Sequence, residues 1–508
     1  MNKLSYFAMA AICGFAFASC SGDDDYDSAA PMGYYENYAY NSPMEALADD
    51  SGAEQPTGDQ FTDFSDNPFI KCDKESTSTF SVDADGASYA IMRKYANKGW
   101  EISPKSVRIE EFLNYFTYDY AEPTDNHTVA ISTEIADCPW NPEHKLLRLG
   151  IKGKSLSQDQ LPKSNYVFLV DVSGSMWDED KLPLLKSGLK TLVAHLEPED
   201  RISLITYSGR VSKELESTPA KEIDKINSAI SRLSAEGSTN GGQALIDAYK
   251  EALANYVEGG NNRVILGTDG DFNVGITSTE DLLKVVEEYA DKGIFTTVCG
   301  FGSGNLNDGM MEAVSNRGNG TYEYIDCENQ MMKVFVHERS KLISVACDSK
   351  CQVKFNPAVV ESYRLIGYEN RVMNNEDFDN DAKDAGEIGS GQTITALYEI
   401  VLAEETTENA NETKIATFDF RYKKQLGDQS YLLSLDVQKS DIKAEPSGEF
   451  SFAAGVAAYG MILRNSPYKG NATIALAKEL ASKGLTFDEL KLRDEFVHIM
   501  DKAKPLAK

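Results

Sequence analysis

Hydrophobic and polar positions along the middle of the chain follow two alternating patterns. Residues 166–170 form an unbroken run of apolar, β-branched and aromatic side chains, which is typical of a strand buried on both faces of a parallel sheet. Residues 182–196 follow with apolar positions at helical spacing, and short apolar runs continue to alternate with amphipathic segments to about residue 343. We therefore predict a doubly wound, mostly parallel α/β domain over residues 164–345.

On both sides of this domain the pattern changes. Residues 79–163 combine two predicted helices with strands, and residues 346–445 contain runs of β character separated by acidic, Asn-rich loops. Residues 446–508 have the spacing of helices. Strands on both sides predict a β-sandwich-like region with the α/β domain inserted between its halves. Two separate small domains are the alternative, because the pairing of strands is not readable from one sequence.

Polar side chains appear abruptly where the predicted parallel strands end. Asp171, Ser173 and Ser175 follow the first strand at alternate positions, Thr239 follows a helix, and Asp269 ends the strand at residues 263–267. Open α/β sheets bind ligands at this edge, and hydroxyl and carboxylate oxygens suit hard cations. The spacing therefore predicts a site for Mg²⁺ or Mn²⁺, whereas Asp-x-Ser-x-Ser alone would also fit a capped turn.

This three-part pattern resembles the metal-ion-dependent adhesion site of the von Willebrand factor A family. The resemblance implies that Ser173, Ser175 and Thr239 are direct ligands and that Asp171 and Asp269 act directly or through water. It also implies a coordination position left for an acidic side chain of a partner. Longer runs, such as residues 237–249 and 318–326, look like one exported bacterial subgroup of this family that carries extra flanking domains.

The first residues have the pattern of an export signal. Lys3 precedes an apolar run over residues 4–18 that is too short for a permanent membrane span. Phe17, Ala18 and Ser19 before Cys20 resemble the lipobox of bacterial lipoproteins, which implies cleavage after residue 19 and lipidation of Cys20. An ordinary secretory signal with an incidental cysteine is the alternative. The lipoprotein interpretation places the chain in the outer membrane, facing either the periplasm or the cell surface.

Residues 20–78 are predicted to be a disordered acidic tether. Between residues 21 and 70 there are twelve Asp or Glu and no Lys or Arg, with too little aliphatic content to bury a core. The acidic residues directly after Cys20 resemble the surface-export signals of some Bacteroidetes lipoproteins. The whole chain of 508 residues has a formal net charge of −30, which argues against a nucleic-acid partner.

Catalysis has little support in the sequence. The five histidines do not form His-Glu-x-x-His, and neither Gly-x-Ser-x-Gly nor a phosphate-binding Gly-x-x-x-x-Gly-Lys occurs. Of the mature cysteines, only Cys347 and Cys351 are close enough in sequence to favour each other as a disulfide. We therefore predict no enzyme. The leading hypothesis is an anchored protein that binds a protein or other macromolecule through the metal, and the alternative is an envelope scaffold in which the metal only stabilises loops.

Overall fold

The segment before the first predicted parallel strand folds into short strands and two helices. The computed structural model describes residues 54–237, 242–270, 278–407 and 409–506, and all of them fall within one compact unit. The elements of this first segment are β1 (Ile70–Lys71), β2 (Thr77–Ser81), α1 (Ala87–Lys98), β3 (Glu101–Ile102), α2 (Ile109–Asn114), β4 (Val129–Asp137) and β5 (Lys145–Gly153). Helix α1 ends at Gly99, whose φ of 69° closes the last turn in the left-handed conformation.

The central segment forms the predicted doubly wound domain. Its elements are β6 (Ser164–Asp171), α3 (Leu182–Ala194), β7 (Arg201–Tyr207), β8 (Val211–Pro219), α4 (Ile223–Arg232), α5 (Gly242–Ala254), β9 (Asn261–Thr268), α6 (Thr279–Ala290), β10 (Ile294–Phe301), α7 (Asp308–Arg317), β11 (Tyr322–Ile325) and α8 (Glu328–Met332). The sheet order is β11-β10-β9-β6-β7-β8, and only the pair β7 and β8 is antiparallel. The predicted fold class is confirmed.

Strand β6 lies in the middle of this sheet, and its side chains alternate between two cores. Val167 and Leu169 pack in one cluster with α5 and α6, whereas Phe168 and Val170 pack on the opposite face with α3 and α4. All eight residues of β6 are buried. The unbroken apolar run is therefore explained by helices that cover both faces of the sheet.

The last segment contains long antiparallel strands followed by helices. Its elements are β12 (Ser344–Phe355), β13 (Val360–Ile366), β14 (Val372–Met373), β15 (Gly386–Gly389), β16 (Thr393–Leu402), β17 (Lys414–Lys423), β18 (Tyr431–Gln438), β19 (Ile442–Lys443), α9 (Gly448–Leu463), α10 (Ile474–Ser482), α11 (Leu492–Ile499) and β20 (Lys504–Pro505). None of the helices within the described ranges is both long and apolar enough to cross a bilayer.

Strands from before and after the central domain share two sheets. One sheet has the order β1-β13-β16-β5-β4-β19, and the other has the order β14-β2-β12-β17-β18 with β15 added beside β12. Apolar side chains of both sheets, among them Leu149 and Tyr398 from the first and Phe80 and Phe418 from the second, form one buried cluster. The arrangement corresponds to a single sandwich that the central domain interrupts, rather than to two separate domains.

The ordered chain begins earlier than the predicted boundary at residue 79. Gln60 forms a parallel bridge with Asn307, and Ile70 in β1 pairs with Tyr363 in β13. The prediction of disorder over residues 54–78 is therefore wrong for this stretch. The physical reason is that this stretch is held by hydrogen bonds to the central domain and to the sandwich. Its low apolar content does not show these contacts.

The structure does not pair Cys347 with Cys351, the two cysteines that are close enough in sequence to favour each other. All six cysteines in the described part of the chain are free. Both residues lie in the same strand, β12, whose register is interrupted by a bulge between Cys347 and Lys350.

Candidate metal centre

The end of β6 forms a tight loop that is held together by the first predicted ligand. Asp171 is completely buried, and its Oδ1 accepts a hydrogen bond of 2.8 Å from the backbone N–H of Ser173. This side-chain turn reverses the chain and leads directly into a short 3₁₀ helix, Gly174–Trp177. The carboxylate is therefore held in place by a hydrogen bond from its own loop.

The two serines of the motif lie side by side in this loop. Their hydroxyl oxygens, Ser173 Oγ and Ser175 Oγ, are 3.0 Å apart. Ser173 is buried, whereas Ser175 is exposed. The pair therefore runs from the interior carboxylate towards the surface, which is the geometry required of a site open to solvent.

Asp269 joins them from the neighbouring strand. It directly follows β9, which pairs with β6 in parallel, and the hydroxyl of Thr268 donates to Asp171 Oδ2 at 3.2 Å. Burial raises the pKa of Asp171 to about 6; the hydrogen bonds from Ser173 oppose this shift, and the negative charge of Asp269 adds to it. Two buried carboxylates thus lie near each other at the carboxyl edge of the sheet.

Lys181 is the contact that the sequence analysis missed. Its ammonium Nζ donates to Asp269 Oδ2 at 3.0 Å, to the backbone oxygen of Ser175 at 3.0 Å and to Asn305 Oδ1 at 3.4 Å. The side chain is buried and lies just before α3. No spacing signal marks this lysine, because it follows three acidic residues that have the pattern of a solvated helix start.

The acidic residues after the loop do not all face the site. Asp178 and Glu179 are exposed, and Asp180 pairs with Lys94 of α1 at 2.9 Å. Asp180 therefore fastens the loop to the first segment of the chain.

A second loop closes the edge beside Asp269. Gly270 has a φ of 110°, and a Cβ atom there would lie only 2.5 Å from the backbone nitrogen of Asn307. The loop before α7 is held in turn by Asp59, whose Oδ1 accepts hydrogen bonds from the N–H groups of Gly304 (2.6 Å) and Leu306 (3.0 Å). A residue from the predicted tether thus supports the wall of the site.

Two predicted residues, Thr239 and Cys20, lie outside the described residues. The described chain just before Thr239 contacts the Asp171 loop, because Glu236 N–H donates to Val172 O (2.7 Å) and Gly174 N–H donates to Gly237 O (3.1 Å). Asp171, Ser173, Ser175 and Asp269 are brought together. The assignment of all five as metal ligands stays a prediction.

The donor set fits a hard divalent cation. Two carboxylates and two hydroxyls converge, and Asp269 Oδ1 is buried with no hydrogen-bond partner among the described residues. Such an oxygen is costly to leave unsatisfied, and a cation would satisfy it. Lys181 already supplies one positive charge to the other oxygen, Oδ2. We call this group, Asp171, Ser173, Ser175, Lys181 and Asp269, the metal edge.

Two other groups of carboxylates occur within the described ranges. Asp83, Glu111 and Glu312 lie close together in the interior, and Asp348, Asp384 and Glu387 lie near the acidic loop before β15. Arginines Arg108 and Arg371 pair with the first group, and Lys423 pairs with Asp348 at 2.6 Å in the second. In the second group a single lysine serves three carboxylates, and Glu387 Oε1 is buried with no hydrogen-bond partner among the described residues. Neither group includes the paired serine hydroxyls of the metal edge.

Comparison with known families covers almost the whole described chain. Three family models match in succession: "von Willebrand factor" over residues 55–148, "von Willebrand factor type A domain" over residues 165–335, and "Uncharacterized protein YfbK, C-terminal" over residues 340–506. The middle match begins and ends close to the bounds of the α/β domain.

The chain is also similar to individual proteins. "Uncharacterized protein YfbK" of Escherichia coli (strain K12) is 38% identical over 467 residues, which cover 87% of this chain and 81% of the relative. The pig "Inter-alpha-trypsin inhibitor heavy chain H2" is 27% identical over 191 residues, or 35% of this chain and 20% of that protein. Among solved structures, "von Willebrand factor type A from Catenulispora acidiphila" has a TM-score of 0.44 and 14% identity, covering 76% of this chain and 99% of that one.

Proposed function

The chain belongs to the YfbK family of proteins with a von Willebrand factor type A domain, and from this premise we propose that it binds a protein partner through a divalent cation. Domains of this type typically mediate protein–protein interaction and metal-dependent adhesion. The proposed ligands are Asp171, Ser173, Ser175, Thr239 and Asp269. The observation that carries the proposal is the convergence of four of them at the metal edge, with Asp269 Oδ1 unsatisfied among the described residues.

The residues of the metal edge have separate tasks in this proposal. Asp171, fixed by Ser173, supplies buried negative charge, and exposed Ser175 marks the side from which a partner approaches. A bound Mg²⁺ or Mn²⁺ would supply an electrophilic contact for a carboxylate of the partner. Lys181 holds Asp269 and the Ser175 carbonyl in place. Its positive charge reduces the net negative charge of the metal edge.

We also propose that the chain is anchored to the outer membrane through a lipid on Cys20. The apolar run over residues 4–18 and the small residues before Cys20 support this proposal. Mass spectrometry of the protein purified from membranes tests it directly, because a diacylated N-terminal cysteine has a characteristic added mass. An unmodified Cys20, or cleavage at another position, would contradict it.

The binding test uses the chain from residue 21 onwards. Mg²⁺ and Mn²⁺ affinity is measured by calorimetry, and capture of envelope proteins is compared in Mg²⁺ and in chelator. Asp171→Ala is expected to abolish both cation binding and cation-dependent capture while the chain stays folded. Asp178→Ala is the matched control, because Asp178 is an exposed carboxylate seven residues further on. Capture by Asp171→Ala that still depends on Mg²⁺ would overturn the proposal.

A structural scaffold is the second candidate function. It is favoured by the way the central domain is embedded, because apolar residues of α5 share one buried cluster with residues of α1, α2 and α9. For a scaffold, chelation is expected to lower the thermal midpoint without any change in partner capture. The same pair of measurements therefore separates the two candidates.

A further inference from the structure

A groove of about 540 Å³ lies beside the metal edge. It runs between the start of α3 and the chain after α4, and its walls include Trp177, Pro183, Lys186, Lys190, Leu233 and Ala235. The groove adjoins the metal edge along the chain: Ser175 and Trp177 belong to the same short helix, and Lys181 immediately precedes the α3 residues that line the groove. The groove is therefore near enough for one extended ligand to contact both it and the exposed end of the metal edge.

Trp177 is the most exposed large apolar side chain among the described residues. It is 73% exposed, although its neighbour Met176 is completely buried. Tryptophan is common among the residues that dominate binding energy at protein interfaces, and a single exposed aromatic beside a binding site is suited to cover an apolar side chain.

The charge of the groove is opposite to the charge of the chain. Lys186 and Lys190 face it from successive turns of α3, and none of the described residues that line it is acidic. The complete chain has 80 Asp and Glu against 50 Lys and Arg. A groove with two lysines and no carboxylate is thus a local exception on a strongly acidic protein.

The two lysines have no carboxylate partner within the described ranges. The ammonium of Lys186 donates to the backbone oxygens of Ser231 and Leu233 at 2.9 and 2.8 Å, which fixes it in the groove wall. Burial and the nearby charge of Lys190 lower the pKa of Lys186. Like charges four residues apart on a helix repel, so an anionic ligand would relieve an unfavourable contact.

We propose that this groove receives an acidic peptide segment of a protein partner. A large apolar side chain of the segment packs against Trp177, and its carboxylates pair with Lys186 and Lys190. A further carboxylate of the same segment reaches the metal edge, and this last contact rests on the proposed function above. The metal thus provides one anchor point, and the groove determines which acidic segments bind.

The test measures binding of a synthetic peptide with one central Phe flanked by Glu and Asp. Of the three tryptophans, Trp100 and Trp140 are buried, so quenching or a spectral shift of the intrinsic fluorescence reports on Trp177. We expect saturable binding that weakens about tenfold or more in Lys186→Gln/Lys190→Gln. Trp177→Ala is expected to weaken binding by a similar factor. Binding to this variant is measured by calorimetry, because it lacks the fluorescent reporter.

The control variant is Lys221→Gln/Lys225→Gln. These lysines are also four residues apart and exposed, but they pair with Glu199 and Glu222 and lie outside the groove. The control is expected to bind the peptide like the unmodified chain. Circular dichroism and thermal midpoints confirm that all variants are folded.

Chelator separates this proposal from the metal proposal. In chelator, the unmodified chain is expected to keep the part of its peptide affinity that comes from the groove. Lys186→Gln/Lys190→Gln is expected to lose that part. If Mg²⁺ has no effect but the lysine variant still loses binding, the groove proposal stands and the metal proposal fails. Equal binding by the lysine variant, equal binding of a peptide with Gly in place of Phe, or binding of phosphatidylglycerol vesicles instead of peptide would overturn the groove proposal.

Discussion

The metal edge and the buried acidic junction use the same kind of side chain for opposite purposes. The junction consists of Asp83, Arg108, Glu111, Asp308 and Glu312, all in the interior, together with half-buried Arg371. There, Arg108 donates to Asp308 Oδ1 at 3.0 Å and pairs with Glu111, and Arg371 donates to Asp83 Oδ2 at 2.9 Å. At the metal edge, a single lysine pairs with one of the two carboxylates, that of Asp269, and the exposed end carries the hydroxyl of Ser175.

The difference between these regions lies in where the positive charge comes from. In the junction it comes from arginines, which connect α2 to α7 and join the loop after β13 to the loop before α1. The carboxylates there connect the first segment, the central domain and the sandwich. At the metal edge the chain itself provides less counter-charge, so the edge retains a capacity for an added cation.

The largest expected effect comes from removing the arginine at the centre of the junction. Arg108→Met leaves the buried carboxylates of Asp308 and Glu111 without their shared partner, which typically costs about 3–5 kcal/mol. We expect a clearly lower urea midpoint at pH 7, with no dependence on Mg²⁺. The control is Lys105→Met, whose pair with Asp63 is exposed and is expected to contribute less than about 1 kcal/mol. A loss from Arg108→Met as small as that of the control would mean that the junction does not connect the segments.

Glu110 is a carboxylate near the junction that has no cationic partner among the described residues. It is buried, and neither of its carboxylate oxygens has a hydrogen-bond partner within the described ranges. Burial, together with the charges of Glu369 and Asp83, raises its pKa to about 8. A raised carboxyl pKa stabilises the fold below the unfolded pKa, and this contribution is lost as the pH rises through 8.

Glu110→Gln is therefore expected to flatten the pH dependence of stability. Relative to the unmodified chain, its free energy of unfolding should be higher by roughly 2 to 4 kcal/mol at pH 9 and nearly unchanged near pH 4. Urea unfolding across this pH range measures the difference. A pH dependence parallel to that of the unmodified chain would show that Glu110 is neutralised by a neighbour after all.

Lys181 tests the metal edge in the same way. Lys181→Met removes the ammonium from Asp269 Oδ2 and leaves a buried carboxylate unpaired, so the metal-free chain is expected to lose about 1–3 kcal/mol. Since a cation that binds only the folded state stabilises it, Mg²⁺ should raise the thermal midpoint more in this variant than in the unmodified chain. Lys190→Met on α3 is the control and should show the same Mg²⁺ shift as the unmodified chain. A variant that Mg²⁺ does not stabilise would show that Lys181 organises the site rather than competes with the cation.

These contrasts also explain how far the sequence predicts the molecule. The parallel sheet was predictable because the apolar run of β6 must be covered on both faces. The meeting of Asp171 and Asp269 was predictable because parallel strands end at a common edge. Both inferences depend on local pattern together with one rule of topology.

Lys181 and the segment before residue 79 were not predictable in this way. The role of Lys181 depends on contacts with Asp269 and Asn305, which are 88 and 124 residues away in sequence. Asp59 is ordered by backbone N–H groups of a distant loop, and a composition that is poor in aliphatic residues does not show such contacts. Polar contacts between distant segments leave no periodic signal, whereas buried apolar faces do.

The smallest expected effect concerns the lysine pair of the groove. Lys190→Gln removes a like charge from the turn after Lys186 and is expected to raise the free energy of unfolding by about 0.2–0.5 kcal/mol. The gain should decrease at high salt, because salt screens exposed charges. Lys225→Gln, which breaks a pair with Glu222, should give no gain. A higher free energy of unfolding in Lys190→Gln would show that the two lysines destabilise the unmodified fold, which would support ligand binding as the reason for the pair. A lower free energy of unfolding would show that Lys190 has a stabilising partner.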